Sequence, residues 1–594
     1  MNILGISCYF HDAAAALIVD GTLVAASEEE RFTRIKHDYE FPDNAIRFCL
    51  NAGDISTDNL DYVVFFEKPF IKFDRLLQTT LSGFPQTYPL FAQSLRTWLF
   101  DKLWVRSTIT SQVGVPKSKV LFSEHHLSHA ASAYFASPFD EAAILTFDGV
   151  GEWATTTLGI GKGNDLRTIK EIHFPHSIGL LYSALTAFLG FEVNEGEYKV
   201  MGMASYGTPR YVDLIWKMVE QKQDGSFWLD LRYFSFHRST VHSFTKKMTD
   251  LLGPPRAPET PFFTEATGYP DYYGERPDKY DELLTDNQHY ADIAASIQAV
   301  AEDLILELAR ESHRQTGKTR LCLAGGVALN SVANARILNE TPFEDIYVQP
   351  NAGDGGAALG ASLLAWNTML DSPERIVMDH AYLGAWHSED AIAEAIAASG
   401  HTAIQYDKEE VLVDAVCDRL EGGKVIGWFQ GRSEWGPRAL GNRSILADPR
   451  RSDMKDTVNA KIKFREPFRP FAPSVLAERC EEFFELPQAY NSLPARFMLL
   501  VVPVRPDKED VVPAVSHMGT ARVQTVHKNS NPRYYRLIER FGERTNVPVL
   551  LNTSFNVRGE PIVNSPGDAL GTFDNSGLDS LVLGDFLIDK ELKK

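Results

Sequence analysis

The chain has 594 residues and a formal net charge of -20, and 44% of its residues are hydrophobic. This length exceeds what one hydrophobic core supports, so two or three domains of an ordinary globular protein are expected. The acidic balance argues against a nucleic-acid surface, and no apolar run is long enough to span a membrane. The cysteines are scattered without a Cys-x-x-Cys pair and no basic signal region opens the chain, which together predict a cytoplasmic enzyme.

The N-terminal stretch predicts a strand over residues 2–8, a polar turn, a second strand, a hairpin at Asp20-Gly21 and a third strand. This order is typical of the first half of a sugar-kinase or actin-like nucleotide-binding fold. His11 and Asp12 lie in the polar turn, where ordinary turn chemistry and a functional role both remain open. Lys36 is a candidate ligand for an anionic group, within a run of charges that otherwise fits a solvated face.

A candidate metal site follows the first predicted domain half. His125 and His129 are four residues apart on a predicted helix, so both imidazoles project from one face. A buried strand predicted over residues 142–147 ends at Asp148, whose carboxylate can meet the same ion. Such donors suit zinc, iron or manganese. The alternative is a polar helix start that happens to contain histidines, because this spacing is weak by itself.

Internal repetition starts at the same strand. Residues 142–172 repeat the opening order of strand, Asp-Gly turn and further strands, which predicts two similar lobes with a ligand cleft between them. Residues 177–207 begin as an apolar helix and are expected to end in a glycine-rich loop, where Gly202 either approaches a nucleotide or simply forms a turn. An aromatic and proline-rich insertion over residues 227–290 is a candidate region for acceptor specificity.

A double glycine marks another candidate site. A buried strand runs into Gly325 and Gly326, and the helix predicted directly after them carries Asn330 and Asn334 on one face. Backbone NH groups at such a helix start cradle phosphate or ribose. A similar glycine-rich turn holds Asp354, which could complete a two-histidine, two-aspartate metal set.

The pattern breaks around residues 370–387, so we predict two domains, 1–375 and 376–594. The second is predicted to be α/β and concentrates cations in a chain that is otherwise acidic. Their mixing with Gly, Pro and aromatic residues predicts a pocket for dense anionic charge, with a solvated basic surface as the alternative. A later buried strand ends in small polar groups suited to a phosphate or ribose. The residues concerned are Arg438, Lys461, Lys463, Arg465, Arg469, Arg522, Asn552, Thr553 and Ser554.

Eight motifs spread along the chain carry a resemblance: HHLSHA, LTFDGVGEWATT, EYKVMGMASYG, LAGGVALN, NAGDGGAALGA, GPRALGNRSIL, KFREPFRPFAPSV and LNTSFNVRGEPIV. With them the chain resembles the carbamoyltransferase family of nodulation protein U, cephem and aminoglycoside (tobramycin-type) O-carbamoyltransferases and the saxitoxin-pathway carbamoyltransferase. The resemblance implies an N-terminal Kae-like domain of the actin-like superfold and a C-terminal YrdC-like domain. It implies that carbamoyl phosphate and ATP with Mg form carbamoyl adenylate in the C-terminal domain. The N-terminal domain would then pass the carbamoyl group to a hydroxyl of a small molecule, near a divalent metal such as iron.

The resemblance also implies roles for single residues. His11 would take the proton of the acceptor hydroxyl, and Lys36 and the loop from Gly325 to Asn330 would hold the adenylate. Asp12, Gly202 and Asn334 are further candidates for cofactor contacts. The metal ligands would be His125, His129, Asp148 and Asp354. The groups that make the adenylate would be Arg438, Lys463, Arg469, Arg522, Asn552 and Ser554.

One departure from the family pattern lies beside Arg522, where SHMGTARVQTV lacks the carboxylate of the more usual HVDGTARVQTV. Three alternatives stay open from the residues alone: a sugar-kinase-like phosphotransferase, a tRNA threonylcarbamoyl-type transferase, which the acidic balance disfavours, and a regulatory binding protein. The acceptor is undetermined within antibiotic, toxin or oligosaccharide chemistry, and relatives make a homodimer plausible.

Overall fold

A computed structural model describes residues 1–590 except 86, 89–90, 93–94, 96–97, 99–101, 240 and 464. The chain forms two compact units. The first comprises residues 1–26 and 39–377, and the second comprises residues 27–38 together with the described chain from Met378 onwards. A short segment near the N-terminus therefore belongs to the second unit.

The first unit contains two five-stranded sheets built in the same order. Its strands are β1 (Asn2–Ser7), β2 (Ala14–Val19), β3 (Thr22–Glu28), β4 (Tyr62–Phe65), β5 (Val120–Phe122), β6 (Glu141–Phe147), β7 (Ala154–Lys162), β8 (Asp165–His173), β9 (Val219–Gln221), β10 (Phe227–Leu229), β11 (Arg320–Ala324) and β12 (Asp345–Val348). The sheets run β3-β2-β1-β4-β5 and β8-β7-β6-β11-β12, while β9 and β10 pair separately. In the first sheet β1 is antiparallel to β2 and parallel to β4. In the second sheet β6 is likewise antiparallel to β7 and parallel to β11. This repeated order confirms the predicted duplication and the α/β class.

The second unit is built on an eight-stranded mixed sheet. Its strands are β13 (Ile404–Gln405), β14 (Ile426–Phe429), β15 (Arg443–Ala447), β16 (Ala472–Leu476), β17 (Val501–Pro503), β18 (Thr520–Arg522), β19 (Gln524–Val526), β20 (Val549–Ser554), β21 (Ser580–Leu583) and β22 (Phe586–Asp589). The sheet order is β13-β22-β21-β14-β15-β20-β16-β19, and β17 pairs with β18 apart from it. The strand predicted around Val425–Phe429 thus lies near the middle of the sheet.

The helices of both units are numbered along the chain. They are α1 (Glu30–Thr33), α2 (Asp43–Ala52), α3 (Pro69–Ser82), α4 (Val105–Val113), α5 (His125–Tyr134), α6 (Ile178–Phe188), α7 (Glu197–Ala204), α8 (Val212–Ile215), α9 (Lys246–Leu252), α10 (Tyr280–Thr316), α11 (Ser331–Glu340), α12 (Asp354–Leu364), α13 (Glu389–Ser399), α14 (Glu409–Glu421), α15 (Met454–Val458), α16 (Leu493–Arg496), α17 (Pro532–Thr545) and α18 (Pro566–Asp574). Across the described ranges, none of them combines the length and apolar character that crossing a membrane requires. All five cysteines are buried thiols.

Helix α12 packs closely against its neighbours, because its sequence DGGAALGASLL consists mostly of small residues. Every residue of α12 is buried. A Cβ added to Gly360 would lie 1.8 Å from the carbonyl oxygen of Ser128 on α5, and one added to Gly5 on β1 would lie 1.9 Å from the carbonyl oxygen of Ala358. The backbones of α12, α5 and β1 therefore touch, which brings the N-terminus of α12 next to α5.

We expect Gly360→Ala to lower the free energy of unfolding by about 1–3 kcal/mol, since the new methyl group overpacks a backbone contact that cannot yield like a side chain. Urea unfolding followed by circular dichroism measures this change. Gly571→Ala in α18 is the matched control, because no atom lies within 4 Å of the added Cβ. The control should keep or raise stability, as alanine favours helix. Equal effects of the two substitutions would contradict the packing argument.

Candidate functional site

Four side chains of the first unit converge on one buried point. The Nε2 atom of His125 lies 3.1 Å from Asp148 Oδ2 and 3.2 Å from His129 Nε2. One Asp354 oxygen lies 3.5 Å from His125 Nε2 and 3.4 Å from His129 Nε2. One donor atom from each of the four residues lies within 4.8 Å of every other. The structure thus brings together all four residues of the predicted metal set.

Three local features position these four side chains. Helix α5 presents its two histidines one turn apart, Asp148 directly follows β6, and Asp354 begins α12. Gly325 adopts a φ of 90°, and a Cβ on it would lie 2.2 Å from the carbonyl oxygen of Phe147. Only glycine allows this approach of β11 to the end of β6. The next residue, Gly326, donates its N–H to Asp148 Oδ1 at 3.3 Å.

The donor set fits a divalent cation. Asp354 is fully buried, and neither of its carboxylate oxygens has a hydrogen-bond partner among the described residues. A buried carboxylate without a partner is costly unless a positive charge compensates it. Burial opposes protonation of His125, but the surrounding carboxylates of Asp354, Asp148 and Glu67 raise its pKa to about 10. The surroundings therefore favour positive charge at this point, and two imidazoles with two carboxylates could hold a metal ion of the zinc, iron or manganese type.

Two further carboxylates support the donors, and the sequence reasoning missed both. Glu152 accepts hydrogen bonds from the His125 backbone N–H at 2.9 Å and from the Lys68 N–H at 2.8 Å, so it holds the N-terminus of α5. Glu67 lies 3.6 Å from His125 Nδ1 and pairs with Lys72 at 2.5 Å. Burial raises the pKa of Glu67, but Lys72 and His125 lower it to about 2. The available signals were the Glu in DGVGEW and the Glu that follows the apolar run of β4.

His11 and Asp12 form a pair in the turn between β1 and β2. The Nδ1 atom of His11 lies 2.9 Å from Asp12 Oδ2, and the imidazole is 24% exposed. Burial opposes its protonation, but the carboxylates of Asp12, Asp354 and Asp148 raise the pKa of His11 to about 9. This histidine therefore lies within electrostatic reach of the buried donor set.

The two asparagines after the double glycine bond to their own unit. Asn330 accepts from the Ala333 N–H at the start of α11 and pairs with the Gln298 amide. Asn334 donates to the carbonyl oxygen of Ala328 at 2.8 Å. Gly326 itself begins a 3-10 turn that runs to Leu329, and α11 begins only at Ser331, so the α-helix does not follow the glycines directly. These amides stabilise the turn that carries Gly326.

The prediction of a glycine-rich loop around Gly202 is wrong, because residues 197–204 form α7 and Gly202 is buried within it. In the insertion over residues 227–290, Phe263 is buried, stacks on Tyr280 with ring centroids 4.9 Å apart and meets Tyr269 edge-on at 5.0 Å. These aromatic side chains form a core of the insertion itself.

The second unit holds a cluster of cations. Lys463 is buried, and its Nζ donates to Ser554 O at 2.7 Å, Asn556 Oδ1 at 2.7 Å and Asn556 O at 2.9 Å. These partners are neutral, so they orient the ammonium group without neutralising it. Burial and the nearby Arg465 and Arg469 hold the pKa of Lys463 well below its usual value.

Arg522 completes this cluster. Burial and the charges of Arg438, Arg465 and Arg469 hold the pKa of Arg522 well below its usual value. Lys463 and Arg465 are 4% and 9% exposed, so these two members of the cluster do not belong to a solvated basic surface. Positive charge at this density is costly unless a dense anion binds to it, and guanidinium groups match phosphate oxygens in geometry.

The remaining predicted residues of the second unit lie at its strand ends and in its N-terminal segment. Asn552 is 1% exposed and donates to Ser474 Oγ and Gln524 Oε1, both at 3.0 Å. Its amide group thus joins β20 to β16 and to β19, the next strand beyond it in the sheet. Lys36 lies in the segment of residues 27–38 that packs with this unit. The roles predicted for both residues in handling an adenylate stay predictions.

Two family models match this chain. The model "Carbamoyltransferase N-terminus" matches residues 2–363, and "Carbamoyltransferase C-terminus" matches residues 417–590. The chain belongs to the carbamoyltransferase family. It is therefore a transferase enzyme, and its buried donor set and cationic cluster each lie within one of the two family regions.

Relatives match nearly the whole of this chain. The carbamoyltransferase is 46% identical to the uncharacterized protein sll1178 of Synechocystis sp., over 99% of this chain and 97% of the relative. It is 39% identical to nodulation protein NolNO of Sinorhizobium fredii, over 98% of this chain and 79% of the relative, and 27% identical to nodulation protein U of the same species, over 94% of each. Among solved structures, HypF of T. kodakarensis overlaps with a TM-score of 0.30 at 14% identity, over 61% of this chain and 48% of that chain.

We expect Asp354→Asn to weaken the binding of Fe(II) or Zn(II) by about 10–100-fold or more. Loss of a residue that only hydrogen-bonds to a metal ligand already costs about this much affinity, and Asp354 would be a ligand itself. Removing the negative charge leaves the two imidazoles with one carboxylate. Metal content after anaerobic loading, measured by mass spectrometry, gives the result without an activity assay. Glu302→Gln is the matched control, because Glu302 is a buried carboxylate paired with Arg336 and Gln298 in the same unit. Metal retention by Asp354→Asn equal to that of the control would rule out the site.

Proposed function

We propose that this carbamoyltransferase works in two steps, each in one unit. The second unit would form carbamoyl adenylate from carbamoyl phosphate and ATP with Mg, and the first unit would transfer the carbamoyl group to a hydroxyl of a small molecule. The observation that supports this division is the opposite sign of the two buried clusters. The first unit holds buried carboxylates whose charge a bound cation would compensate. The second unit holds neighbouring lysine and arginine side chains whose charge a bound polyanion would compensate.

Adenylation is assigned to the cationic cluster. Water would first hydrolyse carbamoyl phosphate to carbamate and inorganic phosphate. A carboxylate oxygen of carbamate would then attack the α-phosphorus of ATP and displace pyrophosphate, which gives carbamoyl adenylate. Negative charge develops on the phosphate oxygens during this displacement, and preorganised cations stabilise it strongly. Arg438, Arg469 and Arg522 would pair with these oxygens. Lys463 is held in place by Ser554 and Asn556, so its ammonium group would need little reorganisation.

Transfer is assigned to the surroundings of His11. The Nδ1–H of neutral His11 would donate a hydrogen bond to Asp12 Oδ2, 2.9 Å away, which leaves Nε2 able to take a proton from the acceptor hydroxyl. The alkoxide oxygen attacks the carbamoyl carbon, the bond to the adenylate phosphate breaks, and AMP leaves. The pKa of His11 depends in part on Asp148 and Asp354, so a cation that neutralises those carboxylates would bring it closer to neutrality.

The four convergent side chains would hold the divalent metal, for which iron is our first candidate and zinc or manganese are alternatives. When bound there, the ion would supply Lewis-acid polarisation of the carbamoyl carbonyl or a contact to its phosphate. Glu152 keeps the first turn of α5 in place and thus fixes both histidines. The acceptor would be a small molecule with a hydroxyl group.

The division of labour predicts that Lys463→Ala lowers carbamoyl-phosphate-dependent release of pyrophosphate by about 100-fold or more, the scale for removal of one preorganised charge-stabilising group. His129→Ala should retain pyrophosphate release, because it alters the other unit, yet yield no labelled product from labelled carbamoyl phosphate, ATP and cell extract. Lys461→Ala is the matched control for the lysine, since Lys461 pairs with Asp579 at 3.0 Å instead of facing the cluster.

Two outcomes would contradict the proposal. If both substitutions stopped pyrophosphate release, the two steps would not be divided between the units. If the wild-type enzyme phosphorylated an acceptor from ATP without carbamoyl phosphate, the phosphotransferase alternative would replace the present one.

A further inference from the structure

Residues 27–38 form a short N-terminal segment that belongs to the second unit, and its side chains bond to residues 405 to 528 positions further along the chain. Within it, Glu28 and Arg31 are 5% and 3% exposed. Charges buried to this extent are costly unless hydrogen-bond partners satisfy them. Both side chains bond to the backbone of Gly436 in the second unit.

Both backbone polar groups of one glycine are bound by this pair. Gly436 N–H donates to Glu28 Oε1 at 2.8 Å, and Arg31 Nη2 donates to the carbonyl oxygen of Gly436 at 2.6 Å. The carboxylate and the guanidinium also face each other, with Arg31 Nε 3.4 Å from Glu28 Oε2. The two side chains therefore form a two-point clamp on Gly436, and we call this pair the Gly436 clamp.

Gly436 lies two residues before Arg438, one of the three arginines proposed to pair with the phosphate oxygens of ATP. It adopts a φ of 106°, a conformation that residues other than glycine rarely adopt, and both of its backbone polar groups are bound by the clamp. On the far side of the same loop, Glu434 Oε1 accepts from the N–H groups of Leu440 and Asn442, both at 2.8 Å. The path of the chain through Arg438 is thus fixed by carboxylates on both sides.

The same segment also contacts a second loop of the cationic cluster. Arg34 donates to the carbonyl oxygens of Ile562 at 2.6 Å and Pro561 at 2.8 Å. That loop leads from Asn556, one of the residues that orient Lys463. Residues 28–34 therefore contact both the loop of Arg438 and the loop that follows the partners of Lys463.

We propose that Glu28 and Arg31, supported by Arg34, are positioning residues for carbamate adenylation, so that the adenylation site is assembled from two distant pieces of the sequence. The proposal rests on the proposed function of the second unit. These side chains act through Gly436 and the loop at residues 561–562 and contact no reacting group. Misplacement of a catalytic group by about 1 Å can cost about 100-fold in rate, so the clamp affects turnover through the place it gives Arg438.

The test measures kcat and KM for carbamoyl-phosphate-dependent pyrophosphate release in the full-length enzyme. Glu28→Ala removes the acceptor for Gly436 N–H and should lower kcat by about 10–100-fold, the range expected for a displaced catalytic group. Glu28→Gln keeps an oxygen at the same position and should retain kcat within about threefold, since a neutral acceptor still makes the hydrogen bond. This rescue by the conservative variant is the readout that mere destabilisation would not produce.

Arg450→Ala is the matched control, because it removes an ion pair with Asp448 elsewhere in the same unit. It should change the melting temperature without lowering kcat. If Glu28→Ala does not fold, Arg31→Lys decides: lysine keeps the charge but cannot reach both Gly436 O and Glu28, and kcat should again fall by about tenfold or more.

The proposal is overturned if folded Glu28→Ala or Arg31→Lys keeps wild-type kcat, or if Glu28→Gln loses as much as Glu28→Ala. It is overturned as well if kcat falls in Arg450→Ala as much as in a clamp variant whose melting temperature is lowered by the same amount, since loss of stability would then explain both results. A wild-type enzyme that releases no pyrophosphate with carbamoyl phosphate refutes the proposed function and the clamp together. A wild-type enzyme that does so while the clamp variants match it refutes only the clamp.

Discussion

The buried carboxylate of Asp354 is the constraint on which the first unit depends. It is fully buried beside two imidazoles and the carboxylate of Asp148, so negative charge is concentrated where water does not reach it. Such an arrangement is stable only with positive charge at its centre. The fold achieves it by making α12 out of small residues, because Gly360 lets that helix lie directly on the backbone of α5. A larger residue there would separate the donors from one another.

The second unit presents the opposite problem. Lys463, Arg465 and Arg522 crowd together in a chain whose net charge is strongly negative, and burial and mutual repulsion hold the pKa of Lys463 and of Arg522 well below their usual values. The neutral oxygens around Lys463 orient it without quenching its charge. This arrangement favours the binding of phosphates. The repulsion between the cations is overcome when the protein folds, so a bound phosphate relieves it without further rearrangement of the side chains.

Local patterns predicted a good part of this chain. The spacing of His125 and His129, the strand that ends at Asp148 and the repeated strand order each follow from periodicity over a few residues, which is where sequence reasoning is strongest. It failed where local composition had two structural solutions. Glycines around Gly202 fit a loop equally well, yet that stretch folds as α7 because its apolar residues pack inward.

The sequence by itself determined the family, the duplicated α/β organisation and the identity of the buried donors, since these are written in short motifs and their spacing. Only the tertiary structure decided which distant residues hold the helix of the two histidines and the loop of Arg438 in place. The contact of Glu152 with the start of α5 and the hold of Glu28 and Arg31 on Gly436 join residues with no shared periodicity. No local pattern encodes such contacts, because they depend on how strands and loops from separate parts of the chain come to lie side by side.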